Sequence, residues 1–181
     1  HDAATYAPAL RDAPVRPPAV VFSHGAASHA GAIEFAQLAS AVETPAVMRA
    51  FDAVTPDTHA KYLLTSGSTG HPKVVINSHS MLTANQQQLA QTFRFLAHDS
   101  APVLLDWLPW NHTFGGNHNI GIALYNGGTL YIDDGKPTPK GMAATLRNLR
   151  EIAPTIYFNV PKGFEEIARA MDGDTALRDQ L

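Results

Sequence analysis

The sequence predicts an α/β protein with a largely parallel sheet flanked by helices. Short apolar, β-branched runs recur along the chain, and stretches of helical composition or spacing alternate with them. Turn signals rich in Gly, Pro and Asn separate the two kinds of segment.

Residues 1–18 hold Pro8, Pro14, Pro17 and Pro18, which break regular elements, so a connecting segment is expected there. Ala19-Val20-Val21-Phe22, bounded by Pro18 and Ser23-His24-Gly25, reads as a buried strand. Phe35, Leu38 and Val42 recur at helical spacing and predict a helix over 34–42. Strands follow at 61–65 and 74–77, the second β-branched. Ser78 or Ser80 is placed to cap a long Gln- and Ala-rich helix reaching about residue 96. Further strands are expected at 103–108, 129–132 and 155–158, and helices at 117–125, 141–152 and 162–171. Asn126-Gly127-Gly128 is a strong turn.

Of the 181 residues, 45% are apolar and 16% charged, a balance that fits a folded globular chain. The formal charge of −3 leaves no basic stripe, so nucleic acid is not an expected partner. No run approaches the roughly 18 apolar residues of a membrane span, and no signal-peptide pattern is visible; the expected location is cytoplasmic. Without cysteine the chain has no disulfide, thiolate zinc site or catalytic thiol.

The most specific string is Thr65-Ser66-Gly67-Ser68-Thr69-Gly70-His71-Pro72-Lys73. Glycines admit close backbone approach, successive N–H groups form an anion-binding concavity, and hydroxyls add donors. Lys73 adds a mobile positive charge for a terminal phosphate. Pro72 disfavours helix at His71, and the run after Lys73 favours a strand, so the loop lies between two strands without a helix dipole behind it. The plainer alternative is a Ser/Gly turn joining a hairpin.

A second concentration of chemistry follows the strand at 103–108: Asp106-Trp107-Leu108-Pro109-Trp110-Asn111-His112-Thr113-Phe114-Gly115-Gly116. Loops after strand ends are where α/β proteins place ligands, and aromatic rings beside a Gly-Gly opening suit one wall of an acyl pocket. Trp107 reads as core, and His112 has a structural reading beside its chemical one. His112 and His118 lack the Cys or carboxylate company of a metal site, so no metal site is assigned.

The glycine string resembles the phosphate loop of the adenylate-forming superfamily, which includes acyl- and aryl-CoA ligases. The resemblance implies joining of a carboxylate to AMP from ATP, with magnesium accompanying the nucleotide, and transfer of the acyl group to CoA. It implies nucleotide binding by Thr65, Ser66, Gly67, Ser68, Thr69, Gly70 and Lys73, and catalytic roles for Lys73 and His112. The family loop normally has glycine where this chain has Val74. Pro109, His112 and Gly115 match the Pro-x-x-His-x-x-Gly motif of acyl- and aryl-CoA ligases, whose His lies beside the acyl carboxylate. No acid occupies 109–119 to hold a substrate ammonium, which disfavours amino acids. The block from Leu105 to Pro137 is similar to feruloyl-CoA synthases, implying a hydroxycinnamic acid; a medium-chain or other aryl acid is the runner-up. The implied substrate residues are Trp110, Asn111, His112, Phe114, Gly115, His118, Val160 and Pro161. His79 is expected to be a helix-entry residue first and a ligand contact second.

The resemblance spans about residues 55–171, with 1–55 matching loosely. It implies that residues 1–181 are part of the large N-terminal adenylation domain, with the C-terminal domain absent. The expected partners are the acid, ATP, CoA and the remainder of the same polypeptide. Taken alone, the segment is expected to be inactive and prone to self-association. A phosphate-binding module without catalysis is the alternative.

Overall fold

The computed structural model describes residues 2–65, 72–98 and 101–181, which fall into two units, His1–Val54 and Thr55–Leu181. In the first unit, the expected connecting segment is instead a helix, α1 (Ala3–Arg11), followed by an irregular stretch. Asp2 caps α1 by accepting from the Thr5 N–H at 2.8 Å. Ala3, Ala7 and Leu10 form its packed stripe. Cap and stripe offset the one hydrogen bond that Pro8 removes.

Strand β1 (Val20–Phe22) pairs in parallel with β2 (Ala32–Glu34). The sequence reading misses β2 because its last residue, Glu34, also starts the next element. Glu34 precedes the short helix α2 (Phe35–Ala39), which ends before the expected residue 42. A further helix, α3 (Pro45–Asp52), was not expected, although Pro45 sits in its first turn, where a missing N–H costs nothing.

The second unit opens with an antiparallel hairpin, β3 (His59–Thr65) and β4 (Lys73–Ser78), in register from Thr65↔Lys73 to His59↔Ser78 with one irregularity. Residues 66–71, which include Ser66, Gly67, Ser68, Thr69 and Gly70, lie outside the described residues. Ser78 caps α4 (His79–Thr92), as one of the two expected serines. The predicted long helix breaks at Phe93, whose ring packs edge-on against Phe158 at 6.4 Å, and a short α5 (Phe95–His98) follows.

Strand β5 (Val103–Asp106) pairs in parallel with β6 (Thr129–Ile132). Between them run a π-helical segment, Phe114–Asn119, and α6 (Ile120–Tyr125); the turn at Gly127 takes φ +64°. The unit finishes with α7 (Pro139–Glu151), α8 (Pro161–Gly173) and an unforeseen α9 (Thr175–Gln180), capped by Asp174.

The expected strand at 155–158 is not assigned as one. The Val103 N–H donates to the Thr155 hydroxyl at 2.9 Å rather than to a backbone carbonyl, so the ladder stops after the Thr155 N–H reaches Val103 O. The predicted α/β class is observed, with the described strands forming three separate pairs, two of them parallel.

Alternation along β5 organises the second unit. Leu104 is buried in a cluster with Leu96, Ile122 and Ala123 on the side of α4 to α6. Leu105 is buried in another with Met142, Leu149, Ile167 and Leu177, supplied by α7, α8 and α9. Leu149→Ala should therefore lower stability by about 3 kcal/mol through lost burial and an unfilled cavity. Leu124→Ala, at a position 79% exposed, should change stability by less than about 0.5 kcal/mol. Urea denaturation of both variants measures the contrast, and equal losses would contradict this core assignment.

Candidate active site

Asp106 ends β5, where a lone acid stands in an otherwise apolar run, and it is 3% exposed. Its Oδ1 accepts from the Leu108 N–H at 3.0 Å and from Asn119 Nδ2 at 3.0 Å. Its Oδ2 is sealed from solvent without a donor among the described residues. Burial holds the carboxyl above its ordinary range, the charge of Asp133 adds to this, and the two hydrogen bonds oppose it. Asp133, just past β6, accepts from the Gly135 N–H, the Thr145 hydroxyl and Asn148 Nδ2 at 2.7–2.8 Å.

The segment after Asp106 is fastened to the chain at 157–160. Trp107 Nε1 donates to Asn159 Oδ1 at 3.2 Å, the same oxygen accepts from the Val160 N–H, and Asn159 Nδ2 donates to the Tyr157 hydroxyl. Burial first, then the charge of Asp133, pushes the Tyr157 phenol up to about 12, so it stays protonated.

The Pro109–Trp110 turn then presses on the π-helical segment. A Cβ at Gly115 would stand 2.7 Å from the Leu108 and Pro109 carbonyl oxygens, and one at Gly116 would overlap the Trp110 carbonyl oxygen. Only glycine allows that approach. His112 enters the segment: its carbonyl accepts from the Gly116 N–H at 2.8 Å, and its Nδ1 accepts from the Phe114 N–H at 3.2 Å. With Nδ1 used as an acceptor, the neutral ring carries its proton on Nε2, and this exposed residue offers a donor outward.

Four residues apart on the segment, Phe114 and His118 meet edge to face at 5.4 Å. Both rings also meet Phe158, at 6.2 Å and 4.6 Å. His118 Nδ1 bonds Asn119 Oδ1 at 2.8 Å.

The hairpin is tied to this segment. Lys61 Nζ donates to the Gly116 carbonyl and to Asn117 Oδ1, Asn117 Nδ2 donates to Asn77 Oδ1 at 2.8 Å, and Gln86 Nε2 donates to the Asn117 carbonyl. At the loop end of the hairpin, the Thr65 hydroxyl donates to the Lys73 carbonyl, and the exposed Lys73 amine has no partner among the described residues.

The expected site residues thus divide into groups. Thr65 and Lys73 face each other where the glycine loop leaves and rejoins the hairpin. Phe114 and His118 pack with Phe158, and Gly115 lies buried beneath the Pro109–Trp110 turn. Trp110 is 51% exposed, and Asn111 is also exposed. Val160 and Pro161 open α8, next to the Asn159 anchor. His79 opens α4, the helix-entry position expected for it. Sequence reasoning missed Lys61, Asn77, Asp106, Asn119 and Asn159. The visible signals were an acid inside an apolar strand and asparagines on both sides of His118. Among the described residues, no three His, Asp or Glu side chains converge on a metal position.

The hairpin on which the glycine loop begins and ends is thus hydrogen-bonded to the aromatic segment that follows β5, and the two together form the candidate site. The family model for the AMP-binding enzyme matches residues 4–180, and the chain belongs to that family. It is 27% identical over 139 residues to the long-chain-fatty-acid–CoA ligase ACSBG2 of Xenopus laevis, covering 76% of this chain and 18% of that protein. It is 40% identical over 77 residues to the medium-chain-fatty-acid–[acyl-carrier-protein] ligase TtuA of Teredinibacter turnerae, covering 42% of this chain and 12% of that protein. A malonyl-CoA ligase solved as a ternary product complex with methylmalonyl-CoA and AMP shares the fold. Its TM-score is 0.62 at 24% identity, over 93% of this chain and 32% of that one. The chain spans about a fifth or less of the length of these two curated relatives.

Asp106 gives the site a checkable electrostatic signature. Asp106→Asn keeps an oxygen for Leu108 and Asn119 and removes a buried charge, so at pH 7 it should be at least as stable as the parent. Asp106→Leu strips both donors of their acceptor and should cost about 2–4 kcal/mol. Because the folded carboxyl lies above its ordinary value of 3.8, the parent holds its proton more tightly when folded. The parent should lose stability relative to Asp106→Asn as pH rises through that range. Thermal unfolding from pH 4 to 7 reads this, and the opposite slope would refute the burial argument.

Proposed function

We propose that this chain carries the nucleotide and acyl sites of an enzyme that activates a carboxylic acid with ATP and passes the acyl group to CoA. The observation behind the proposal is the hydrogen-bonded tie between two motifs far apart in sequence. Lys61 and Asn77, on the strands that bracket the glycine loop, hold Gly116 and Asn117 of the aromatic segment. In this reading the hairpin that bears the glycine loop is held to the aromatic segment, the arrangement that joining a carboxylate to a nucleotide requires.

In this reading the acid's carboxylate oxygen attacks the α-phosphorus of ATP and the bond to pyrophosphate breaks. ATP brings its magnesium and supplies the leaving group. The loop's N–H groups and hydroxyls grip the phosphates, and Lys73 places its charge on them as negative charge moves toward pyrophosphate. His112 meets the acid's carboxylate with its outward donor, for which the Phe114 N–H on its other nitrogen is the supporting observation. Phe114, His118 and Phe158 wall the acyl group, with Trp110, Asn111, Gly115, Val160 and Pro161 around it. A hydroxycinnamic acid such as ferulate is the proposed substrate because three rings face one another there, which suits stacking on an aryl group. A medium-chain acid is the second reading, supported by the similarity to TtuA.

The remainder of the polypeptide is the proposed cover for the hairpin, whose Tyr62, Leu64 and Val74 are each more than half exposed. In that whole protein, Lys73→Ala should lower ferulate-dependent pyrophosphate release by roughly a hundredfold, the scale of one lost transition-state donor. Unchanged turnover would remove Lys73 from the chemistry.

A further inference from the structure

A buried hydrogen-bond chain fixes the protonation pattern of His118. The Leu108 N–H can only donate, so Asp106 Oδ1 is an acceptor; any proton on this carboxyl sits on Oδ2, which has no partner among the described residues. The amide nitrogen of Asn119 donates to that same Oδ1. This orients the Asn119 amide and turns its carbonyl oxygen toward His118. An amide oxygen can only accept, so His118 Nδ1, 2.8 Å away, must be the donor. In the neutral ring the remaining nitrogen, Nε2, then holds a lone pair. Nε2 points away from Nδ1 and its buried anchor, makes no hydrogen bond among the described residues, and is not sealed from solvent. The ring is held edge to face between Phe114 and Phe158.

From this geometry we infer that Asp106 and Asn119 are positioning residues that lock His118 as the Nδ1–H tautomer. His118 Nε2 is then an acceptor selecting acids whose acyl group carries a hydroxyl donor. The selection rests on the acid-activation reading above; the lock does not. An aromatic wall alone would take a bare ring and a hydroxylated ring about equally. The unfilled acceptor gives the hydroxylated one an added bond and leaves its absence unsatisfied.

Two measurements on the chain test this. Long-range ¹H–¹⁵N correlation of the imidazoles should show a pyrrole-type Nδ1 and a pyridine-type Nε2 for His118, and the pattern should be lost in Asn119→Leu. Calorimetric binding of 4-hydroxycinnamate against cinnamate should favour the hydroxylated acid by roughly three- to tenfold, the net worth of one neutral hydrogen bond. His118→Phe, which leaves the Asp106–Asn119 bond and the aromatic wall in place, should abolish that preference while still binding cinnamate. An Nε2–H pattern in the parent would overturn the lock. Equal binding of both acids would overturn the selection and leave the acid-activation reading standing. Binding of neither acid would overturn the selection and count against that reading as well.

Discussion

The site depends on a carboxylate placed where a strand ends. Asp106 lies at the last position of β5, and one of its oxygens takes both the N–H that turns the chain at Leu108 and the amide of Asn119. The same strand bond network continues sideways, where the Asp133 N–H donates to the Asp106 carbonyl at 2.9 Å. A single residue thus closes the strand, sets the exit angle of the Trp107–Trp110 turn and fixes the far end of the π-helical segment. The cost is a second oxygen buried without a donor among the described residues, and burial keeps its charged form unfavourable.

The π-helical segment and the residues leading into it treat two histidines differently. His112, two residues before the segment, and His118, near its end, are bonded through the same ring atom in opposite senses. Backbone at Phe114 donates to Nδ1 of the first, and a side-chain carbonyl accepts from Nδ1 of the second. Their free nitrogens are consequently opposite in character, a donor at one end and an acceptor at the other. A π turn widens the spacing of side chains relative to an α-helix and occurs often at functional positions. Here it needs two glycines because the preceding turn lies against it without room for a Cβ.

How much of this was legible in the sequence follows from the range of the forces involved. The strand before the glycine loop, the β-branched strand after it, Ser78 as a cap and the Asn126-Gly127-Gly128 turn are local effects, and each is found where composition puts it. Phe93, where α4 ends, also meets the ring of Phe158, a contact that no window around residue 93 contains. Thr155 aborts a strand because its hydroxyl takes the Val103 N–H, where strand propensity anticipates only backbone pairing. The aromatic residues of the candidate site were readable as types, whereas the asparagines that orient them were not. An amide becomes informative only once its partner across the fold is known.

The hairpin's two lysines show the same division between type and placement. Neither has a carboxylate partner among the described residues, so charge alone does not separate them. Lys61 is held by the Gly116 carbonyl and Asn117 Oδ1, and its ammonium serves as a clamp between hairpin and aromatic segment. Lys73 begins β4 opposite Thr65, exposed and without such an anchor. In the proposed function, a loop between two strands has no helix dipole to draw an anion, so backbone N–H groups and a mobile charge would have to supply the field for a phosphate. Under the proposed function, Lys61 ties the hairpin to the aromatic segment away from the loop, and Lys73 supplies the mobile charge where the loop rejoins the hairpin.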